Sequence, residues 1–441
     1  MNSGDTAFIL VASALVMFMT PGLAMFYGGM VRAKNVLGTL MQSMFALGLI
    51  SVLWALVGYT LAFGPDKGGL IGGLDYLGLS GVGQEPNADL AATIPHIVFA
   101  VFQMMFAIIT PALITGAFAE RMKFVAYVAF MALWLVFIYA PLAHWVWAPG
   151  GWLRELGALD FAGGTVVHIN AGVAALAAVL VIGKRRGFGK EAILPHNLTL
   201  TLLGTGILWF GWFGFNAGSA LAANGLAASA FLATNLGAAT GAVGWAIAEG
   251  FKEGRATTLG MASGAVAGLV AITPAAGFVG PSAAIVIGLV AGLVCAWAVS
   301  LKFRLGYDDS LDVVGVHMVG GIVGALLTGV FADAAINEAG ADGLLAGGGL
   351  TLLGKQVIAV GASLGFSFIG NLILMKLIEV AVGVRVTDEE EISGLDLAQH
   401  AETGYAFSEG GALSSGPAPA GAGAAAAPAA SSMGVAQRGE A

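Results

Sequence analysis

Residues 160–172 read DFAGGTVVHINAG and residues 309–321 read DSLDVVGVHMVGG, and the two stretches share one spacing. In each stretch an aspartate is followed eight residues later by a histidine, and four residues after that by a glycine. These positions are Asp160, His168 and Gly172 in the first stretch, and Asp309, His317 and Gly321 in the second. Each stretch opens a long apolar run. A polar motif that recurs at the start of two apolar runs indicates a chain built from two related halves.

The chain contains far less charge than a soluble protein of its length. Of its 441 residues, 58% are hydrophobic and 10% are charged, whereas a soluble domain carries about 25% charged residues. Its mean hydropathy is +0.88, and this composition predicts a polytopic membrane protein. The single cysteine, Cys295, excludes a disulfide framework and a cysteine metal cluster, and no basic patch for nucleic acid is present. We therefore expect no metal, no cofactor and no enzyme activity.

Apolar runs long enough to cross a bilayer recur along most of the sequence. A transmembrane helix needs about 20 mostly apolar residues, and eleven stretches meet that requirement. The expected fold class is therefore an all-α polytopic membrane protein with eleven transmembrane helices. The first stretch follows no basic residue, so we expect a retained helix, with a cleaved secretory signal as the alternative. The stretches are 7–31, 36–63, 94–119, 124–147, 163–183, 195–219, 226–249, 257–275, 282–301, 313–332 and 348–383.

Basic residues alternate between the connections that join these stretches. Twelve of the eighteen lysines and arginines fall in every second connection, and the intervening connections hold only Lys67 and Arg154. Because cytosolic loops are enriched in Lys and Arg, the N-terminus is expected outside and the C-terminus inside. The twelve residues are Arg32, Lys34, Arg121, Lys123, Lys184, Arg185, Arg186, Lys190, Lys252, Arg255, Lys302 and Arg304.

This orientation gives the two related stretches opposite directions, because the fifth helix begins outside and the tenth begins inside. Helices 1–5 and 6–10 are therefore expected to form an inverted repeat, which would bring His168 and His317 together near the middle of the membrane. Two neutral histidines can share a proton and offer both a donor and an acceptor to a small polar permeant. The alternative is that each histidine only bonds a helix backbone or a neighbouring serine.

Aromatic residues cluster in the third, fourth and sixth stretches. Phe102 and Phe106 lie in the third, Trp147 ends the fourth, and residues 209–219 read WFGWFGFNAGS. An aromatic belt at the membrane interface is one interpretation. The other is a cation site, because aromatic faces attract cations and the Ser219 hydroxyl could accept a hydrogen bond from an ammonium-like permeant.

Asp160 opens the fifth stretch close to the expected outer surface. Its position suits a helix N-cap, since aspartate is strongly preferred there. It could also attract a cation to the entrance of the pathway. As a cap it would still fix the shape of that entrance.

Taken together, these motifs resemble the ammonium transporter (Amt/Mep/Rh) family, of the bacterial Amt type, along nearly all of residues 7–410. The resemblance implies a transporter that takes up ammonium, and also methylammonium as a possible substrate. It further implies a homotrimer with one pore in each subunit. The matching stretches are PGLAMFYGGMVRAKNVL at 21–37, ITPALITGAFAERMKF at 109–124, LDFAGGTVVHINAG at 159–172, WFGWFGFNAGSA at 209–220 and DDSLDVVGVHMVGGIVG at 308–324.

The same resemblance assigns roles to individual residues. Ammonium would be recruited outside, lose its proton near a phenylalanine gate and cross as ammonia, with or without a separately relayed proton. An ammonium sensor, an electroneutral ammonia or carbon dioxide channel and a membrane-embedded enzyme are the competing interpretations. The implied residues are Phe106, Trp147, Ser219 and Asp160 for recruitment, Phe106 and Phe215 for the gate, His168 and His317 for the pore, and Phe102 and Trp212 for the vestibule.

Three segments follow from composition and resemblance. Residues 1–384 form the expected membrane domain, set in the lipid bilayer of a bacterial inner membrane. Residues 385–411 resemble the family's cytosolic regulatory region, which helps to dock a PII-type (GlnK-like) signalling protein. Residues 412–441 are rich in Ala, Gly, Pro and Ser, which is typical of a disordered extension.

Overall fold

Apolar helices make up most of the computed structural model, which describes residues 1–405. Ten of the helices in this part of the chain are long and apolar enough to cross a membrane, and an eleventh is shorter. The expected regulatory region, 385–411, therefore lies partly outside the described residues, and the expected tail, 412–441, lies wholly outside them. The helices are α1 Ser3–Met30, α2 Ala33–Phe63, α3 His96–Phe118, α4 Phe124–Trp147, α5 Gly164–Ile182, α6 Leu198–Gly218, α7 Gly225–Glu253, α8 Thr258–Ile272, α9 Pro281–Leu305, α10 Val314–Phe331 and α11 Thr351–Val382.

The predicted all-α membrane fold is confirmed, and α8 is the element that departs most from expectation. A span over residues 257–275 was expected, but the helix ends at Ile272 and is followed by turns over residues 273–278. Pro274 explains the early end, because it has no N–H group with which to continue the hydrogen-bond ladder of the helix. The count of eleven spanning helices and their orientation remain predictions.

Four helices contain a π-helical turn, in which one extra residue widens the helix. These turns are Trp54–Gly58, Leu135–Tyr139, Gly164–Ile169 and Val314–Met318. The last two contain His168 and His317. Such turns occur frequently at functional sites, and periodicity in the sequence gives no sign of them.

The two motifs noticed in the sequence have matching local structures. Three residues after each aspartate, Gly163 and Asp312 both adopt a left-handed conformation, with φ of 118° and 65°. Asp160 accepts a hydrogen bond from Thr165 N, and Asp309 accepts one from Val314 N, five residues on in both cases. The matching geometry supports the predicted repeat.

The motif glycines make reciprocal contacts between α5 and α10. A Cβ on Gly172 would come within 2.2 Å of Met318 N, and one on Gly321 would come within 3.1 Å of Ile169 N. Each glycine therefore packs against the residue that follows the histidine of the other motif. This is the contact pattern that a twofold repeat requires, and it depends on the absence of a side chain at both glycines.

A small β-hairpin lies at the end of the helices that also contains Trp147 and Ser219, which we call the aromatic end. Its strands β1 Asp66–Lys67 and β2 Ile71–Gly72 pair antiparallel. His144 Nδ1 bonds Ala62 O at 2.8 Å and His144 Nε2 bonds Asp66 Oδ1 at 2.9 Å. This buried histidine attaches the hairpin to α4.

The opposite end of the helices, which we call the tail end, holds two further short helices, α12 Asp388–Ser393 and α13 Leu395–His400. Asp396 accepts hydrogen bonds from Leu37 N at 3.0 Å and Gly38 N at 2.8 Å. Its carboxylate thereby caps the start of α2, where a negative charge is favourable. The basic residues predict that this end faces the cytosol.

Candidate functional site

The aromatic end contains a cavity of about 160 Å³ lined by Phe106, Trp147 and Ser219 together with seven other residues. The Trp147 ring meets Phe106 edge-on, with ring centroids 5.8 Å apart. Ser219 Oγ donates a hydrogen bond to Phe215 O at 2.9 Å. Since its hydrogen is used in this bond, the hydroxyl oxygen can offer its lone pairs to a cationic donor in the cavity.

Two phenylalanine rings close the floor of this cavity. The ring centroids of Phe106 and Phe215 are 4.2 Å apart with an interplanar angle of 35°, and each residue is 1% exposed. Phe102 packs edge-on against Phe106 at 5.0 Å. The ring pair lies between two cavities, because Phe106 lines the aromatic-end cavity and Phe215 lines the cavity beside the histidines.

Beyond the phenylalanine pair, the two histidines lie side by side. His168 Nδ1 and His317 Nδ1 are 3.2 Å apart, and the rings are stacked with centroids 5.4 Å apart. One Nδ1 must donate and the other accept, so two neutral rings would present opposite tautomers at Nε2. The Nε2 atom of His168 is buried and has no hydrogen-bond partner, which leaves it for a permeant molecule.

Trp212 forms one wall beside the histidines. Its ring stacks on His168 with centroids 5.4 Å apart, and Trp212 Nε1 donates to Thr273 Oγ1 at 2.9 Å. Thr273 directly follows α8, at the point where Pro274 ends that helix. The early end of α8 therefore supplies a hydroxyl that fixes the Trp212 ring.

A narrow cavity runs beside the histidine pair. It is lined by thirteen residues, of which His168, His317, Tyr27 and Trp212 are the ones with polar side-chain atoms. Only about 10 Å³ of it can hold the centre of a water-sized molecule, which is room for about one such molecule. The cavity is therefore largely apolar and nearly closed.

Asp160 does not line either cavity among the residues described. Its carboxylate accepts hydrogen bonds from four consecutive backbone N–H groups, those of residues 163–166, and from the Thr165 hydroxyl. Asp160 O accepts from Trp147 Nε1 at 3.0 Å. In this structure Asp160 therefore shapes the π turn that carries His168 and positions the Trp147 ring.

The structure brings together the aromatic, serine and histidine residues that the sequence singled out. Asp160 is the exception, because it lines neither cavity and reaches the site only through Trp147 and the π turn. It also adds three residues that sequence reasoning missed: Gln103, in the aromatic-end cavity, Thr273 and Tyr27. The ITPALI and PGLAMFYGG stretches were recognised as motifs, but nothing in them marked Tyr27 as a pore residue. Thr273 is one residue before Pro274, and a helix stop at that proline was the available signal.

Buried ion pairs dominate the tail end. Glu120 pairs with Arg32 at 2.8 Å and with Arg185 at 3.3 Å, and Arg185 also pairs with Asp308 at 2.8 Å. Burial raises the pKa of Glu120, but the hydrogen bond from Arg32 and the positive charge of Arg185 outweigh it and hold the pKa below its usual value. The pKa of Asp308 is likewise lowered, because Arg185 and Arg121 outweigh its burial.

The described residues contain no group of three or more His, Cys, Asp and Glu side chains that could hold a metal ion. What they form is a multi-pass membrane protein whose core holds an aromatic cavity, a closed ring pair and a histidine pair in series. That arrangement defines a transport protein with a narrow apolar pathway. The chain belongs to the Ammonium Transporter Family, whose sequence profile matches residues 7–405. This is a family of transporters and channels and not of enzymes, and the resemblance drawn from the motifs is confirmed.

Relatives with similar sequences and structures support this assignment. The chain is 52% identical over 406 residues to an ammonium transporter of Bacillus subtilis, covering 92% of this chain and 99% of the relative. The crystal structure of Saccharomyces cerevisiae Mep2 superposes with a TM-score of 0.82 at 38% identity, over 88% of both chains. A sensor Amt protein superposes with a TM-score of 0.83 at 32% identity, over 90% of this chain and 98% of that one.

Proposed function

We propose that the protein takes ammonium from the aromatic end, removes its proton at the phenylalanine stack and conducts ammonia past the histidine pair. The observation that carries this proposal is the series of an aromatic cavity, a closed Phe106–Phe215 stack and the buried pair His168–His317. An aromatic cavity attracts a cation, by up to about 2 kcal/mol where it is desolvated. The pathway beyond it offers no negative charge to accompany that cation.

Selectivity follows from the cost of burying charge. An unpaired cation loses many kcal/mol of hydration free energy in an apolar pore, and a potassium ion cannot avoid this cost. Ammonium can avoid it, because it can leave its proton behind and cross as a neutral molecule. A dry pathway therefore separates two cations of similar size that a charged filter would treat alike.

The histidine pair would serve the neutral molecule. Ammonia is both a donor and an acceptor of hydrogen bonds, and two neutral imidazoles with opposite tautomers offer it one of each. The same pair can pass a proton along the Nδ1–Nδ1 contact, which would let the proton travel separately. In either case the histidines replace part of the hydration that ammonia loses in the cavity.

The proposal includes a homotrimeric assembly. An exposed groove of about 650 Å³ lies between α1, α6 and α7. Its lining includes three phenylalanines and three alanines that lie in the first turn of α7 or just before it. Phe213 and Phe231 stack there with centroids 3.9 Å apart. Small and aromatic residues on a lipid-facing surface suit close helix packing between subunits. Light scattering of the detergent-purified protein would measure the subunit number.

A PII-type signalling protein is the proposed partner at the tail end, where α12 and α13 present exposed acidic side chains such as Asp388. Sensing of ammonium is the second candidate function, and the structural likeness to a sensor Amt protein favours it. A transport-deficient variant that still alters the partner's binding in response to ammonium would support sensing. A partner that binds only the transport-competent protein would support transport.

Current and flux measurements on proteoliposomes test the proposal. We expect ammonium to produce transport and potassium to produce none, and we expect His168→Ala combined with His317→Ala to lose this selectivity or the transport itself. A potassium current equal to that of ammonium would contradict the mechanism. Ammonium-driven pH changes without any current would instead identify an electroneutral ammonia channel.

A further inference from the structure

The two motif aspartates are equivalent in sequence but differ in how many hydrogen bonds they receive. Asp160 accepts bonds from four backbone N–H groups and from the Thr165 hydroxyl. Asp309 accepts one from Val314 N at 2.7 Å and a second from Val313 N, while its Oδ1 atom is buried and has no close partner. The residue that corresponds to Thr165 in the second motif is Val314, which has no hydroxyl to offer.

The surroundings of Asp309 do not compensate for the missing donors. Asp309 is 1% exposed. The nearest cation, Lys302, directs its amine to the main-chain oxygen of Asp309 at 2.9 Å and to Asp312 Oδ1 at 2.5 Å. A buried carboxylate with so few donors favours its protonated form. Burial raises the pKa of Asp309 to about 6, although the charge of Lys302 acts in the opposite direction.

Several other charged or titratable groups face Asp309. Asp312 and Tyr307 lie on its own segment, Arg121 on the connection between α3 and α4, and Tyr27 on α1, and each interacts with it electrostatically. The side chain of Asp312 is 25% exposed. It can therefore exchange protons with water at the tail end.

Tyr27 connects this carboxyl group to the histidine cavity. Tyr27 lines the cavity beside His317. At its other side, a Cβ placed on Gly116 would meet both Tyr27 Cζ, at 2.6 Å, and Val313 Cγ2, at 2.8 Å. The segment that follows Asp309 is held to α3 at the same place, since Leu311 N bonds Gly116 O at 3.0 Å. The segment that follows Asp309 therefore packs beside Tyr27, at the tail-end side of the histidine cavity.

We propose that the buried carboxyl group of Asp309 is the proton donor that converts ammonia back to ammonium at the tail end of the pore. The proposal rests on the ammonia pathway proposed above. In the step, the O–H bond of the carboxylic acid breaks, the lone pair of the ammonia nitrogen takes the proton, and an ammonium ion and a carboxylate remain. Asp309 regains its proton from water at the tail end by way of Asp312.

Infrared difference spectroscopy of the reconstituted protein tests the protonation directly. At a pH below about 6, the value given for Asp309, we expect a carboxylic acid C=O band that is absent in Asp309→Asn and that decreases when ammonium is added. A band that is missing, or that does not respond to ammonium, would overturn the proposal. This readout needs no flux and so stays informative when a variant transports poorly.

Flux measurements on two matched threonine variants give the second test. Val314→Thr supplies Asp309 with the hydroxyl that Thr165 gives Asp160, and so should favour the carboxylate and slow ammonium flux by about tenfold or more, as for loss of a general acid. Val357→Thr adds the same hydroxyl at an exposed position of α11 and should leave flux unchanged. Equal flux in both variants, or an equal decrease in both, would contradict the proposal.

Failure of this proposal can be told apart from failure of the ammonia pathway. If Asp309→Asn and Val314→Thr both transport normally while the double histidine variant loses ammonium selectivity, the pathway stands and the role of Asp309 is refuted. If the unaltered protein conducts potassium as well as ammonium, the pathway itself is refuted, whatever the infrared band shows.

Discussion

The aromatic end and the tail end of the molecule deal with charge in opposite ways. At the aromatic end, ring faces, one hydroxyl and one amide surround a cavity, and Arg154 is the one charged side chain in its lining. At the tail end, Glu120, Arg185 and Asp308 are buried as a network of ion pairs. Uncharged ring faces can attract a cation and release it, whereas fixed ion pairs hold neighbouring segments in one geometry. The first arrangement suits binding of a permeant, and the second suits a rigid support for the pore helices.

Removing Arg185 should produce the largest effect on stability, because it disrupts the buried ion pairs of the tail end. Arg185→Ala leaves Glu120 and Asp308 buried without their shared partner, and loss of one member of a buried pair costs about 3–5 kcal/mol. Thermal unfolding in detergent measures the loss. Arg186→Ala is the control, because its pair with Asp388 is about half exposed on both sides and such pairs contribute at most about 1 kcal/mol. Equal stability losses would show that the buried network is not a support.

Opening the ring stack should have the next largest effect, and on selectivity more than on stability. Phe215→Ala removes one ring of the closed pair and should cost about 3 kcal/mol, at the low end for a buried phenylalanine because cavities already flank it. It should also admit water and allow a potassium leak, measured as current in proteoliposomes. Phe210→Ala, on the same helix but 54% exposed, should change neither. An unaltered potassium block in the Phe215 variant would remove the stack from the mechanism.

Acid should reduce the stability that the buried ion pairs of the tail end contribute. The pKa values of Glu120 and Asp308 are lowered in the folded protein from ordinary values of 4.5 and 3.8. Their stabilising contribution is therefore fully present above these ordinary values and is lost as the pH falls through the lowered ones. Asp309 has the opposite sign, since its raised pKa of about 6 makes stability fall as the pH rises from 3.8 toward 6.

Unfolding curves recorded across this pH range distinguish these two opposite effects of pH on stability. Asp309→Asn should remove only the decrease in stability on raising the pH, and Arg185→Ala should remove most of the decrease on acidification. An acid response in the Arg185 variant that matches that of the unaltered protein would assign it to other groups.

The smallest expected effect concerns the aromatic end and follows from removing the Ser219 hydroxyl. Ser219→Ala removes one acceptor from the cavity and the bond to Phe215 O, and a hydrogen bond to a charged group contributes about 1.5–3 kcal/mol at most. We expect a modestly weaker apparent affinity for ammonium with the maximal flux nearly unchanged. A drop in maximal flux at unchanged affinity would instead give Ser219 a role in opening the ring pair.

The membrane fold and the histidine pair could be predicted from the sequence for local reasons. Apolar runs are contiguous, so the sequence predicts each helix except α8 to within a few residues, and the repeat predicts that His168 and His317 meet. Their 3.2 Å contact spans 149 residues of sequence, and no local pattern without the repeat would have indicated it.

Other parts of the site could not be predicted, because they depend on contacts between distant segments. Arg185 and Asp308 are 123 residues apart, and Trp212 and Thr273 are 61 apart. The π turns leave no mark on hydrophobic periodicity. For Asp160, the sequence suggested a helix cap and the family resemblance a recruitment role, and the structure shows its carboxylate bonded to backbone N–H groups.

Phe106 belongs to two parts of the pathway at once, since its ring lines the aromatic cavity and also forms half of the closed stack. A cation resting on this ring must leave the ring face before the stack can open, so each opening follows the release of one occupant. We therefore expect flux to level off as external ammonium rises. Flux that continues to rise without limit would show that the ring moves independently of its occupant.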